Sequence, residues 1–239
     1  EGLADGFMAN LARLIEHCTA PETYGYTPSD LPLAGLDQAR LDELTARLGP
    51  GIEDLYPLSP MQAGMAFHSL SDLSVAGGLS DLTAGSRGDL EPGSRGDLAA
   101  GQTYFEQLHF GLEGPLDPTA LRAAWQTAMR RHAVLRTGLL LDLSPQLQAV
   151  HADLPLPWVE ADWRGLDAAR QTTALDAVLA DARRQGFELD RPPLWRVHLL
   201  RMADRRWHLV FNFHHLLLDG WSLARLFDEM AQAYAATSV

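Results

Sequence analysis

The residues best suited to chemistry in this 239-residue chain are a pair of adjacent histidines, His214 and His215, followed by Asp219 and Gly220. Imidazole is the side chain whose ordinary pKa lies nearest neutrality, so a single histidine can take up and return a proton at pH 7. The residues leading to the pair, Trp207, His208, Leu209, Val210, Phe211, Asn212 and Phe213, alternate in the manner of a β-strand. Neighbouring strand residues point to opposite faces. His215 therefore falls on the side of Leu209, Phe211 and Phe213, whereas His214 shares a face with His208 and Asn212. Gly220 suits a tight turn, where a side chain would collide or φ must be positive, and that turn opens a helix. Because the two imidazoles diverge, His214, His215 and Asp219 make a poor metal site, which needs converging ligands. Ser222 and Cys18 have no base arranged beside them and are poor nucleophiles.

Several elements must position this constellation. Residues 197–202 and 207–214 pair across 203–206 as an antiparallel hairpin. The helix after Gly220 buries Leu223, Leu226, Phe227, Met230 and Tyr234. Upstream, Ser59 is the N-cap of a helix with Pro60 at its first position and Gln62 at its third, a capping box. Residues 104–110 alternate as a strand. Asp117 caps a helix with Pro118 at its start, and Leu121, Ala124, Trp125, Ala128 and Met129 form its inward stripe. Residues 139–150 and 156–160 are expected to be strands of one sheet, and residues 167–186 a helix. At the N-terminus, residues 2–18 form an amphipathic helix and residues 36–48 a second, short one. Between 71 and 102 the sequence Gly-Ser-Arg-Gly-Asp-Leu occurs twice amid Gly and Ser, too little apolar surface to fold, so a disordered insertion is expected. Its two Arg-Gly-Asp triplets carry little weight as adhesion signals in a chain of this composition.

The bulk numbers exclude several classes. With 46% apolar residues the chain is globular, and with 19 basic against 31 acidic side chains its formal charge is -12. A nucleic-acid binder must neutralise phosphates with a basic patch, which this balance opposes. A single cysteine, Cys18, permits no internal disulfide and no thiolate cluster. No apolar run reaches the length of a membrane span, and no basic-then-apolar leader opens the sequence. A cytoplasmic location is the expectation.

Three segments, in order, resemble the condensation domains of non-ribosomal peptide synthetases, within the chloramphenicol acetyltransferase-like group. They are the run from Ile52 through Leu58-Ser59-Pro60-Met61-Gln62 to residue 70, the run Arg131-His132-Ala133-Val134-Leu135-Arg136-Thr137, and His214-His215 through Asp219-Gly220-Trp221-Ser222. The resemblance implies an α/β (α+β sandwich) fold, a mixed sheet flanked by helices, of which this chain supplies the N-terminal lobe over 51–239 with the second lobe absent. Residues 1–50 resemble an upstream connector of the kind that often follows an epimerisation domain, and a donor ending in a D-residue would then be expected. The implied activity is amide-bond formation between an acyl or peptidyl thioester and an aminoacyl acceptor. Upstream and downstream peptidyl carrier proteins would bear both on 4'-phosphopantetheine, and nothing would be bound directly by the chain.

By the same resemblance His215, Asp219 and Gly220 form the catalytic set, with His214, Arg136 and Trp221 as its support, and Arg136 pairs with Asp219 to lock the turn after His215. Amide N–H groups around Gly220 would favour negative charge on the tetrahedral intermediate. The reading requires that lock and an accessible His215. An epimerisation domain shares the His-His motif, though the Leu58–Gln62 segment and Trp221 favour condensation. A non-catalytic docking or scaffold fragment of the same fold is the third reading.

Overall fold

The computed structural model describes residues 2–20, 25–68 and 103–237. The expected insertion over 71–102 lies outside the described residues. The chain divides into two compact units, Glu1–Ile52 and Glu53–Val239.

The first unit holds helices α1 (Gly2–Thr19) and α2 (Gln38–Leu48). Spacing of apolar residues at three and four makes α1 helical, yet it buries no residue, and Leu3, Phe7, Met8, Leu14 and Ile15 are all more than half exposed. Helix α2 starts where the Asp37 carboxylate accepts the Arg40 N–H and ends at Gly49, whose φ of 78° is a conformation that favours glycine. Its Leu41 and Leu44 are buried. The Tyr26 hydroxyl accepts from the Ile52 N–H at 2.8 Å and donates to the Ile52 carbonyl at 2.9 Å.

Beyond it the order is β1 (Ile52–Pro57), α3 (described over 60–68), β2 (Phe105–Glu113), α4 (Pro118–Arg131), β3 (Thr137–Leu140), β4 (Leu147–His151), β5 (Trp158–Asp162), α5 (Ala168–Gln185), β6 (Trp195–Ala203), β7 (Arg206–His214) and α6 (Gly220–Thr237). The strands form two sheets, β1-β4-β3 and β2-β7-β6-β5. This corrects the expectation of one sheet for residues 139–160. β3 and β4 close on each other as an antiparallel hairpin, Leu139 opposite Gln148, whereas β5 runs parallel to β6 in the other sheet. β1 is also a strand that the sequence pattern did not announce. Its alternation is interrupted by Glu53 and Asp54, and its two buried side chains, Ile52 and Leu55, stand three residues apart.

The four-stranded sheet carries the core. β7 is an inner strand, paired antiparallel with β2 on one side and β6 on the other, so Trp207, Leu209, Phe211 and Phe213 project together from one face. α4 and α6 cover that face, with the predicted stripe Leu121, Ala124, Trp125, Ala128 and Met129 buried. The Asp117 carboxylate accepts the Thr119 and Ala120 N–H groups at the start of α4. Phe211 lies at the centre of a ring cluster, 5.0 Å from Trp125, 5.1 Å from Phe213, 5.7 Å from Phe227 and 6.1 Å from Trp195. On the opposite face Gln107 pairs with Asn212 at 2.8 Å and donates to the α5 carbonyl of Leu179 at 3.2 Å. No helix among the described residues is long and apolar enough to cross a membrane.

Truncating the hub should be severe. Phe211→Ala is expected to lower the unfolding free energy by about 3–5 kcal/mol, read from the shift in the urea midpoint at unchanged m-value.

Candidate active site

The histidine pair sits where β7 ends. The His214 N–H donates to the Leu194 carbonyl at 2.9 Å and the His215 N–H to the Tyr104 carbonyl at 2.8 Å, so the backbone is gripped from both neighbouring chain segments at the last strand positions. Leu216, Leu217 and Leu218 are buried and plug the following loop into the core, and the Leu217 N–H closes back on the His214 carbonyl at 3.0 Å. Tyr104 holds a φ of 68°, which is uncommon for a residue with a side chain and has no signal in the sequence.

The two imidazoles meet opposite fates. His214 is 1% exposed, and its Nδ1 accepts the Leu216 N–H at 3.2 Å, which leaves the ring proton on Nε2. Burial pushes its pKa down to about 4, only partly offset by the Thr103 backbone and lowered further by His215. His215 is half-buried, and its Nδ1 lies 2.8 Å from the Leu218 carbonyl. A carbonyl oxygen can only accept, so Nδ1 carries the proton, and the neutral ring keeps a lone pair on Nε2. That is the tautomer a proton acceptor requires.

Asp219 is the N-cap of α6. Its Oδ1 accepts the Ser222 N–H at 2.7 Å and its carbonyl the Leu223 N–H at 3.0 Å. The Ser222 hydrogen bonds hold its carboxyl below the usual carboxylate range. The expected Arg136–Asp219 lock is not formed, so one of the two conditions set for the catalytic reading fails. That reading is left to stand on a partly exposed His215 and a turn held by the Asp219 cap and the buried leucines. Arg136 is 5% exposed, and its guanidinium is spent elsewhere: Nε on the Met129 carbonyl at 3.0 Å, Nη2 on the Arg130 carbonyl at 3.3 Å, and Nη1 on Glu53 at 2.5 Å and on the His151 carbonyl. The cause is its place in the 3-10 turn after α4, from which the side chain folds back over the orphan carbonyls of that helix end. It ties α4 to β1 and β4 rather than to the histidine turn.

Two further expectations are corrected. Gly220 has no positive φ and a Cβ there would meet nothing within 4 Å, because the residue already lies in the first turn of α6. Trp221 is 88% exposed, a position on that same turn pointing away from the core that gives the loop no packing support. Trp221 instead lines an open depression of about 830 Å³ with Arg131, Ser222, Arg225, Asp228 and Glu229. Glu229, unmarked by any sequence motif, gathers His132 at 2.9 Å, Arg225 at 3.1 Å and Arg131 at 3.5 Å. Sequence reasoning also missed Gln148, a buried glutamine in β4 between Leu147 and Ala149, whose signal is an amide where every neighbour is apolar. Among the described residues no group of three or more His, Cys, Asp or Glu is gathered that could hold a metal ion.

A two-sheet α/β arrangement with helices on its faces is the class of fold found in solved condensation domains. A starter condensation domain of rhizomide synthetase, solved with C8-CoA, superimposes with a TM-score of 0.60 at 18% identity, over 81% of this chain and 38% of that one. A four-domain nonribosomal peptide synthetase bound to AMP and glycine matches at 0.58 and 17% identity, over 79% of this chain and 12% of that one. The condensation-domain family profile covers residues 98–238. A linear gramicidin synthase chain of Brevibacillus parabrevis is 39% identical over 100% of this chain, and the chondramide synthase of Chondromyces crocatus 36% identical over 98% of it. The chain belongs to the condensation-domain family of non-ribosomal peptide synthetases. It spans 4% and 6% of the length of those two relatives.

The depressed pKa of His214 makes stability depend on pH. Between about 6.5 and about 4 the unfolded chain binds a proton that the folded chain refuses, so stability falls as pH drops through this window and levels off below it. The loss is about 3 kcal/mol at most. His214→Asn keeps an acceptor for the Leu216 N–H and should flatten that part of the pH–stability curve relative to the parent, measured by urea unfolding at stepped pH.

Proposed function

We propose that residues 51–239 are the N-terminal lobe of a condensation domain that joins a carrier-bound acyl or peptidyl thioester to a carrier-bound aminoacyl amine. The observation that carries this reading is His215 itself: partly exposed at the end of an inner strand, with its Nδ1–H tied to the Leu218 carbonyl so that the lone pair of the neutral ring lies on Nε2. In the reaction the acceptor amine attacks the thioester carbonyl, the new C–N bond forms and the C–S bond breaks. Nε2 holds the amine in line and takes its proton as it attacks, and the departing thiolate recovers a proton. Asp219 shapes the loop as a helix cap and is an ionised acceptor already engaged, which suits positioning rather than proton transfer. N–H groups around Gly220 at the start of α6 would favour the negative charge of the tetrahedral intermediate.

Both acyl and amino groups arrive on the phosphopantetheine arms of upstream and downstream carrier proteins, as parts of the substrates. The chain covers 38% of the solved rhizomide domain. Under this reading a second lobe closes the site, residues 1–50 are a connector, and the assembly works in the cytoplasm.

With loaded donor and acceptor carriers and a complete condensation domain, His215→Ala should cut amide formation by about 10²–10⁴-fold without preventing folding. Undiminished product from that variant removes the catalytic reading. Absence of product from the parent with both lobes present would favour a docking fragment, and inversion at the donor Cα without amide would favour epimerisation.

A further inference from the structure

Gln62 does more than close the capping box of α3. Its Oε1 accepts the Ser59 N–H at 2.9 Å, while its own N–H donates to the Ser59 hydroxyl at 3.3 Å. The amide then continues outward. Nε2 donates to Gln148 Oε1 at 3.3 Å and, across 154 residues of sequence, to the Leu216 carbonyl at 3.4 Å. Gln148 Nε2 returns a bond to Gln62 Oε1 at 3.2 Å and another to the Pro57 carbonyl at 3.2 Å. Gln148 is 5% exposed and Leu216 buried, while Gln62 is partly exposed, so it is the Gln148 amide and the Leu216 carbonyl that lie where an unpaired donor or acceptor is costly. Each bond fixes which end of each amide faces which partner.

Leu216 is thereby held at both ends. Its N–H is on His214 Nδ1 and its carbonyl on Gln62 Nε2, two residues before the Leu218 carbonyl that sets the His215 tautomer. We infer that Gln62 and Gln148 are positioning residues for His215: the amide pair clamps the 216–218 backbone so that the Leu218 carbonyl stays in place to hold the Nδ1 proton. The inference rests on the proposed role of His215, and the glutamines act through the loop without touching substrate.

The test uses a complete condensation domain with loaded carriers. Gln62→Glu keeps the acceptor for the Ser59 N–H and for Gln148 Nε2 but has no proton for the Leu216 carbonyl. Gln148→Met fills the volume and removes the other half of the clamp. Each should lower kcat by about 10–100-fold, the scale of an ångström-sized misplacement, with the KM for the acceptor carrier little changed, and the double variant should be no worse than the weaker single. The ¹⁵N shifts of the His215 ring should move from a single Nδ1–H tautomer to a mixture. Ser59→Ala, which loses the cap hydroxyl and keeps the clamp, should leave kcat and the ring shifts as in the parent. Parental kcat and an unchanged His215 tautomer in both glutamine variants would overturn the inference while leaving the role of His215 intact, provided His215→Ala is inactive. If His215→Ala is as active as the parent, the catalytic reading fails instead, and the ring shifts of the glutamine variants still decide whether the clamp sets the tautomer. Should Gln148→Met fail to fold, Gln62→Glu alone decides the matter through the same two readouts.

Discussion

Two histidines in succession at the end of an inner strand cannot share an environment. The pleat sends one side chain to each face, and because β7 is flanked by β2 and β6 its backbone cannot rotate to relieve the difference. His214 is therefore sealed at 1% exposure and forced neutral, and His215 is left within reach of solvent. A slip of one residue in the β6–β7 register would exchange the two. The register is held by the side chains that share the core face, Trp207, Leu209, Phe211 and Phe213 against Trp195, Val197 and Leu199, and by the aromatic cluster that Phe211 centres. Chemistry at the strand end is thus a consequence of packing several residues away.

The loop beyond that strand is closed by short-range backbone bonds and by buried leucines rather than by an ion pair. Asp219 is exposed, and an ion pair there would be screened by water and contribute little, whereas the buried Arg136 guanidinium must have its N–H groups answered where it lies. Asp219 instead takes one N–H of the helix it starts, where the helix dipole favours a negative charge. Arg136 does comparable service for the other end of a helix, satisfying carbonyls left over where α4 stops, with Glu53 supplying the counter-charge. The same two residue types appear in both accounts, but each is matched to a helix terminus and not to the other.

Legibility in the sequence follows the range of the interaction. The Ser59–Gln62 capping box, the Asp117 cap, the inward stripe of α4 and the opposed facing of His214 and His215 are set within four residues of sequence, and each is visible as a spacing. What could not be read is which distant segment satisfies a group. Residues 139–150 and 156–160 carry strand patterns, yet nothing local divides the first into β3 and β4 or assigns β5 to β6 and β3–β4 to β1. Gln62 shows its cap in the sequence and hides its second task, because the partner carbonyl of Leu216 is brought to it only by the fold.

α1 and α2 make the same point by contrast. Both are readable as helices from apolar spacing, and both carry that spacing on one face. In α2 it is realised as burial of Leu41 and Leu44; in α1 the stripe from Leu3 to Ile15 stays exposed among the described residues. Periodicity reports that a face is suited to packing, since amphipathic helices draw most of their stability from tertiary contact. The identity of the contact is a separate quantity, fixed by shape and by which surfaces the chain delivers nearby. Arg136 obeys the same distinction: a buried guanidinium must have its N–H groups answered, and the sequence announces that demand without naming the carbonyls that meet it.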